Sequence, residues 1–168
     1  MDRKKLRIIG YVMIFCGVSV LLLFAYRRIS RELYLRKLIR DNIVLEIPSL
    51  DIRVPVLEGT DKKALQAAAG HFEGTGAPGR GNYCIAGHNS TVYAEIFNDL
   101  DRIQTGSEMI LTDTDEKRTK YTYIVAEYDI VDPSKVSVLN DFGDDRLTVI
   151  SCTDDGKYRQ VVVGMLKK

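Results

Sequence analysis

In this 168-residue chain the side chains able to attack or protonate an acyl group are few: three cysteines, Cys16, Cys84 and Cys152, and two histidines, His71 and His88. Cys152 closes a β-like run, LTVIS, and after TDDGKY the arginine Arg159 opens another, QVVVG. Asp155-Gly156 is a favoured pair for a two-residue type I′ hairpin. With that turn Thr153 faces Tyr158 and Cys152 faces Arg159, on one face of the sheet with Cβ atoms about 4.5–5.5 Å apart. A guanidinium beside a thiol favours the thiolate, and its planar donor fork suits the oxyanion formed when a thiolate attacks a carbonyl. For an arbitrary Cys and Arg at this spacing the plainer reading, a core thiol and a surface arginine, is the commoner one.

A thiol nucleophile needs a group to protonate the departing amine, and histidine is the usual one. His88 follows the apolar run NYCIA and a glycine, where a scaffold fixes a residue while leaving its side chain accessible. His71 follows the helical run ending in AAAG, so position favours His88 and leaves His71 open. Cys16 lies in an apolar stretch, where a thiol behaves as a small hydrophobe. Cys84 and Cys152 are the remaining pair for a disulfide, although their spacing shows no framework. No zinc-ligand spacing joins Cys84, His88, Cys152 and His71.

The elements that must hold these residues begin at Asn42. Runs rich in Val, Ile, Tyr and Thr predict seven or eight strands at 43–47, 52–57, 82–86, 108–112, 120–128, 147–151 and 158–166. Helix is predicted only over Asp61–Ala69 with Thr60 as N-cap, in a turn or two near Tyr93–Leu100, and after Pro133. Pro55 marks an edge or bulge, and TGAPGRGN (75–82) a loop. Many short strands with little helix predict a mainly β fold, a closed or nearly closed antiparallel barrel, with a β-sandwich as the alternative.

Ahead of this lies a different region. Residues 8–26 contain no charge, and 19 such residues rise roughly 28 Å as a helix, enough to cross a bilayer. The division expected is a tail (1–7), a transmembrane helix (8–26), a charged stalk (27–41) and a β domain (42–168). Basic residues flank the span on both sides, so the positive-inside rule does not orient it, while the short N-terminal tail slightly favours an inside N-terminus. Residues 1–41 hold 10 Lys and Arg against 3 Asp and Glu, leaving 14 against 20 in the remainder. An acidic β domain lacks the field for phosphate backbones, which argues against nucleic-acid binding. The basic collar at Arg27–Arg40 suits either anionic head groups or plain solvent.

Three blocks, IVLEIPSLDIRVPVLEGT, GHFEGTGAPGRGNYCIAGHNS and LTVISCTDDGKYRQVVVG, resemble the sortases, membrane-anchored cysteine transpeptidases of Gram-positive bacterial surfaces. With the intervening FNDLDRIQTGSEMIL, the resemblance covers most of residues 43–166. It implies an eight-stranded sortase-type β-barrel on the extracellular face of the cell membrane, anchored by one pass with the N-terminus inside. It implies Cys152 as nucleophile, His88 as general acid and base, and Arg159 as the residue that positions substrate and steadies the tetrahedral intermediate. The implied partners are a Leu-Pro-x-Thr-Gly-like sorting signal and an amine from a cell-wall precursor or a pilin lysine. The chemistry needs no metal or organic cofactor; some sortases bind calcium, and no clear calcium site is legible. Val149 and Ser151 depart from the family's commoner Leu and Thr, and Ser151 keeps a hydroxyl suited to binding the oxyanion or the substrate backbone. A peptidase that hydrolyses its thioester and a non-catalytic assembly module are the alternatives.

Overall fold

The computed structural model describes residues 3–89 and 96–168 and divides into two compact units, one up to Leu38 and one from Ile39 to Lys168. The first lies within helix α1, Arg3–Asp41. Apolar side chains are exposed at consecutive positions from Val12 to Phe15 and from Leu21 to Phe24, so no face of the helix is polar. The Ser19 hydroxyl donates to the Phe15 carbonyl at 2.8 Å, which satisfies it without water. Its segment Gly10–Asp41 contains an 18-residue stretch with a mean hydropathy of 1.8, long and apolar enough to cross a membrane.

The second unit is a closed eight-stranded barrel. Its strands are β1 (Ile43–Ile47), β2 (Ile52–Glu58), β3 (Ala69–His71), β4 (Asn82–Ala86), β5 (Glu108–Thr112), β6 (Lys120–Val131), β7 (Arg146–Cys152) and β8 (Arg159–Leu166). They run in the order β1-β2-β3-β4-β7-β8-β6-β5, and β5 pairs back on β1. The barrel is not wholly antiparallel: β2 pairs parallel with β3, and β4 parallel with β7. The helix α2, Lys62–Ala67, carries the chain between β2 and β3, the kind of crossover that a parallel pair requires.

Local chemistry explains where expectation and structure part. Asp61, not Thr60, caps α2, its carboxylate accepting from the Ala64 N–H at 2.8 Å. The helix stops at Ala67, and Ala69–His71 become a strand, in which Gly70 is required because a Cβ there would overlap the Gly59 carbonyl oxygen. β3 reaches only Val56–Glu58 of β2, so Pro55 has no neighbouring strand on that edge. The turn expected near Tyr93–Leu100 lies partly outside the described residues; a 3-10 turn occupies Leu100–Arg102, and another follows Pro133 at Val136–Leu139.

Alternation along the strands sorts two apolar clusters. Leu45, Ile47, Tyr83, Ile85, Leu147, Val149 and Val162 fill the barrel with Phe97 and Tyr123. On the outer face Ile150, Val161 and Val131 form a second cluster, against which Phe72, Val138 and Leu139 pack. The connection between β6 and β7 thus lies over β7 and β8. Asn82, 2% exposed, ties it down: its amide donates to the carbonyls of Val138 (2.9 Å) and Asn140 (2.8 Å), and its own carbonyl accepts from Thr148 (2.7 Å).

Candidate active site

β7 and β8 set Cys152 directly opposite Arg159, as the hairpin argument expects. The turn itself differs. The Gly156 N–H donates to the Thr153 carbonyl (2.8 Å) and the Thr153 N–H to Tyr158 (3.1 Å), so Asp154–Lys157 form a four-residue loop, not a two-residue one. Gly156 takes a φ of 69° in it. The Thr153 hydroxyl accepts from the Tyr158 N–H (3.1 Å) and donates to Asp155 (2.6 Å), and the wider loop closes on the same Thr153–Tyr158 pair. The register therefore survives the change of turn.

β4 supplies the third residue. Its parallel register with β7 runs from Asn82↔Arg146 to Ala86↔Ile150, and the Gly87 N–H donates to the Ile150 carbonyl at 3.1 Å. β4 ends at Ala86, and His88 lies two residues beyond it, past the end of the strand that runs parallel to β7. Cys152 and Arg159 thus form one row across β7 and β8, Val131 of β6, paired with Arg159, extends it, and His88 follows the end of the adjacent β4. Ile150 and Val161, in the outer cluster, each lie two positions from a member of the row, so Cys152 and Arg159 face outward with them. Gly87 is the residue that lets the chain turn here over Phe97, since a Cβ would overlap the Phe97 ring. The Phe97 N–H in turn holds the His88 carbonyl at 3.3 Å.

The side chains of His88, Cys152 and Arg159 are each partly exposed. The Arg159 guanidinium rests on the hairpin loop, donating to the carbonyls of Tyr158 (3.1 Å) and Gly156 (3.3 Å). On the outer face a cavity of about 240 Å³ lies under the β6–β7 connection, lined by Val131, Val161 and Val163 together with Glu127, Asp129 and Lys135. A thiol paired with a guanidinium across two strands is an arrangement able to attack a carbonyl and to hold the oxyanion that forms.

The other candidates are placed elsewhere. Ser151, 2% exposed, points into the barrel and donates to the Gly87 carbonyl at 3.1 Å, tying β7 to the segment that carries His88. His71 is buried in β3, its Nδ1 2.9 Å from Glu58 Oε2, its Nε2 2.9 Å from Thr75 Oγ1 and its ring stacked on Tyr83. Cys84 is fully buried, and burial pushes its thiol up to about 11. All three cysteines are free thiols, so Cys84 and Cys152 form no disulfide. Among the described residues no three His, Cys, Asp or Glu side chains gather as metal ligands. Sequence reasoning missed Asn82 and its grip on the groove wall; a lone amide opening the otherwise apolar strand NYCIA was the signal available.

A sequence model of the sortase domain matches residues 45–167. The chain is 33% identical to sortase A of Bacillus anthracis over 73% of its length, and 33% identical to sortase A of Listeria monocytogenes over 74%. It spans 58% and 55% of those two relatives. Among solved structures, a Clostridium perfringens sortase D5 transpeptidase superposes with a TM-score of 0.69 at 31% identity, covering 76% of this chain and 79% of that one. A match over nearly the whole barrel, on an eight-stranded fold shared with solved sortases, makes this chain a member of the sortase family.

Proposed function

We propose that this chain is a membrane-anchored cysteine transpeptidase that cleaves a Leu-Pro-x-Thr-Gly-like sorting signal and transfers the acyl part to an amine. What supports this reading is Cys152 paired directly with Arg159, with His88 just beyond the end of β4, the strand parallel to β7. Cys152 Sγ attacks the scissile carbonyl, and Arg159 bears the developing oxyanion and orients the peptide. The C–N bond breaks as His88 gives its proton to the departing amine, leaving a thioester on Cys152. An incoming amine, from a cell-wall precursor or a pilin lysine, loses a proton to His88 and attacks the thioester. A new amide forms and the thiol is released. Helix α1 anchors the enzyme with the N-terminus inside and the barrel on the extracellular face, where surface proteins and wall precursors meet.

The test is product analysis with the full-length protein in detergent, a panel of Leu-Pro-x-Thr-Gly-like peptides, and oligoglycine or hydroxylamine as acceptor. Transfer product whose mass carries the added amine, absent from Cys152→Ala, is the expected result. Hydrolysis product alone, unchanged by amine, assigns a peptidase instead, and no product from any peptide contradicts the catalytic reading.

A further inference from the structure

The carbonyl of Cys152 is held from two sides by side chains outside the row. In the β4–β7 ladder the Gly87 N–H donates to the Ile150 carbonyl, so the next rung would run from residue 89 to the carbonyl of Cys152. That rung is made by a side chain: Asn89 Nδ2 donates to the Cys152 carbonyl at 3.1 Å. The same nitrogen donates to Asp154 Oδ1 at 2.8 Å, in the loop between β7 and β8. From beneath, Gln160 Nε2 donates to the Cys152 carbonyl at 3.3 Å. Gln160 is 3% exposed, and its Oε1 has no hydrogen-bond partner among the described residues. Leaving a buried amide oxygen unpaired costs stability, so this side chain is better explained by the carbonyl it holds than by what it adds to the fold.

We propose that Asn89 is a positioning residue of the transfer reaction. It follows His88 in the chain and bonds both the nucleophile's own backbone and the hairpin loop beyond it, so it sets the separation between the imidazole and the thiol. By replacing a main-chain rung with a side-chain one, it keeps the two segments in register while the main chain at 88–89 leaves the sheet. This inference rests on the roles proposed above for His88 and Cys152. Spacing between an acid–base group and a nucleophile governs rate steeply, and an error of about 1 Å costs on the order of 100-fold.

Asn89→Asp tests it with little change of shape, because a carboxylate cannot donate to the Cys152 carbonyl and repels Asp154. Asp154→Ala removes only the loop bond, and the exchanged pair Asn89→Asp with Asp154→Asn restores that bond without the one to Cys152. In full-length protein in detergent, iodoacetamide alkylation of Cys152 is followed against pH by mass spectrometry, beside kcat and KM for the transfer assay. Asn89→Asp and Asn89→Ala are expected to lower kcat by tenfold or more with KM changed less than twofold. They should also displace the alkylation pH profile in the direction that His88→Ala displaces it, with the exchanged pair rescuing only part of the loss. Wild-type kcat and an unmoved profile in Asn89→Asp would overturn this inference alone. A wild type that makes no transfer product from any peptide would overturn the functional reading first.

Discussion

Cys84 and Cys152 carry the same group in different surroundings, and the residue-scale predictions follow from that contrast. Cys152 is partly exposed beside Arg159, whereas Cys84 is fully buried with its thiol pushed from 9.0 to about 11. In the folded protein iodoacetamide should label Cys152 near neutral pH and spare Cys84, a difference read by peptide mapping. The folded state holds the Cys84 proton more tightly than the unfolded chain does. The stability this group contributes is therefore whole below about pH 9 and lost as pH rises through 11. Cys84→Ala should accordingly lose less of its stability between pH 8 and 11 than wild type in urea titrations, while keeping transfer activity. Cys152→Ala should lose on the order of 10⁴-fold or more in kcat/KM, His88→Ala about 10²–10⁴-fold and Arg159→Ala about 10²–10³-fold, each with a near-native circular dichroism spectrum. Activity within tenfold of wild type in one of them would remove that residue from the mechanism. Cys152 facing Arg159 was legible because a hairpin is local and a two-residue and a four-residue loop centred on Asp155-Gly156 give the same register. His88 was favoured over His71 on position alone, but its placement near the end of β7 was not legible, because 64 residues separate it from Cys152 and β4 pairs with β7 in parallel.

At the scale of elements, the groove wall depends on Asn82. Replacing it with Ala takes from the carbonyls of Val138 and Asn140 the donor that holds the β6–β7 connection against the barrel, and from the buried Thr148 hydroxyl its acceptor. Asn82→Ala should cost about 2–3 kcal/mol in chemical denaturation and raise KM for peptide more than it lowers kcat. A variant as stable as wild type, with unchanged KM, would show that the connection is held by its apolar contacts at Val138 and Leu139 alone. The long Val-, Ile- and Tyr-rich strands were legible because each carries its own alternation. β3 was not, because three residues, Ala-Gly-His, hold no period and the preceding alanines read on as helix. Neither parallel pairing was legible, since pairing in parallel is decided by a crossover and by partners remote in the chain.

For the whole molecule, an apolar helix and an acidic barrel divide the work. Among the described residues both apolar clusters are built from positions 43–166, so a chain starting at residue 42 should be soluble without detergent and retain the kcat and KM of the full-length protein within about twofold. Aggregation of that fragment, in a sedimentation or size-exclusion run, would show that the barrel needs the helix. The apolar span was legible because 19 uncharged residues need no partner to be recognised, whereas its orientation was not, with basic residues on both flanks. The central claim, that one thiol at the end of β7 carries the acyl group, is tested most directly by intact-mass spectrometry of the full-length protein mixed with sorting-signal peptides. The account predicts a single acyl adduct that maps to Cys152, is discharged by hydroxylamine and is absent from Cys152→Ala. An adduct on another residue, or transfer product formed by Cys152→Ala at the wild-type rate, would contradict it.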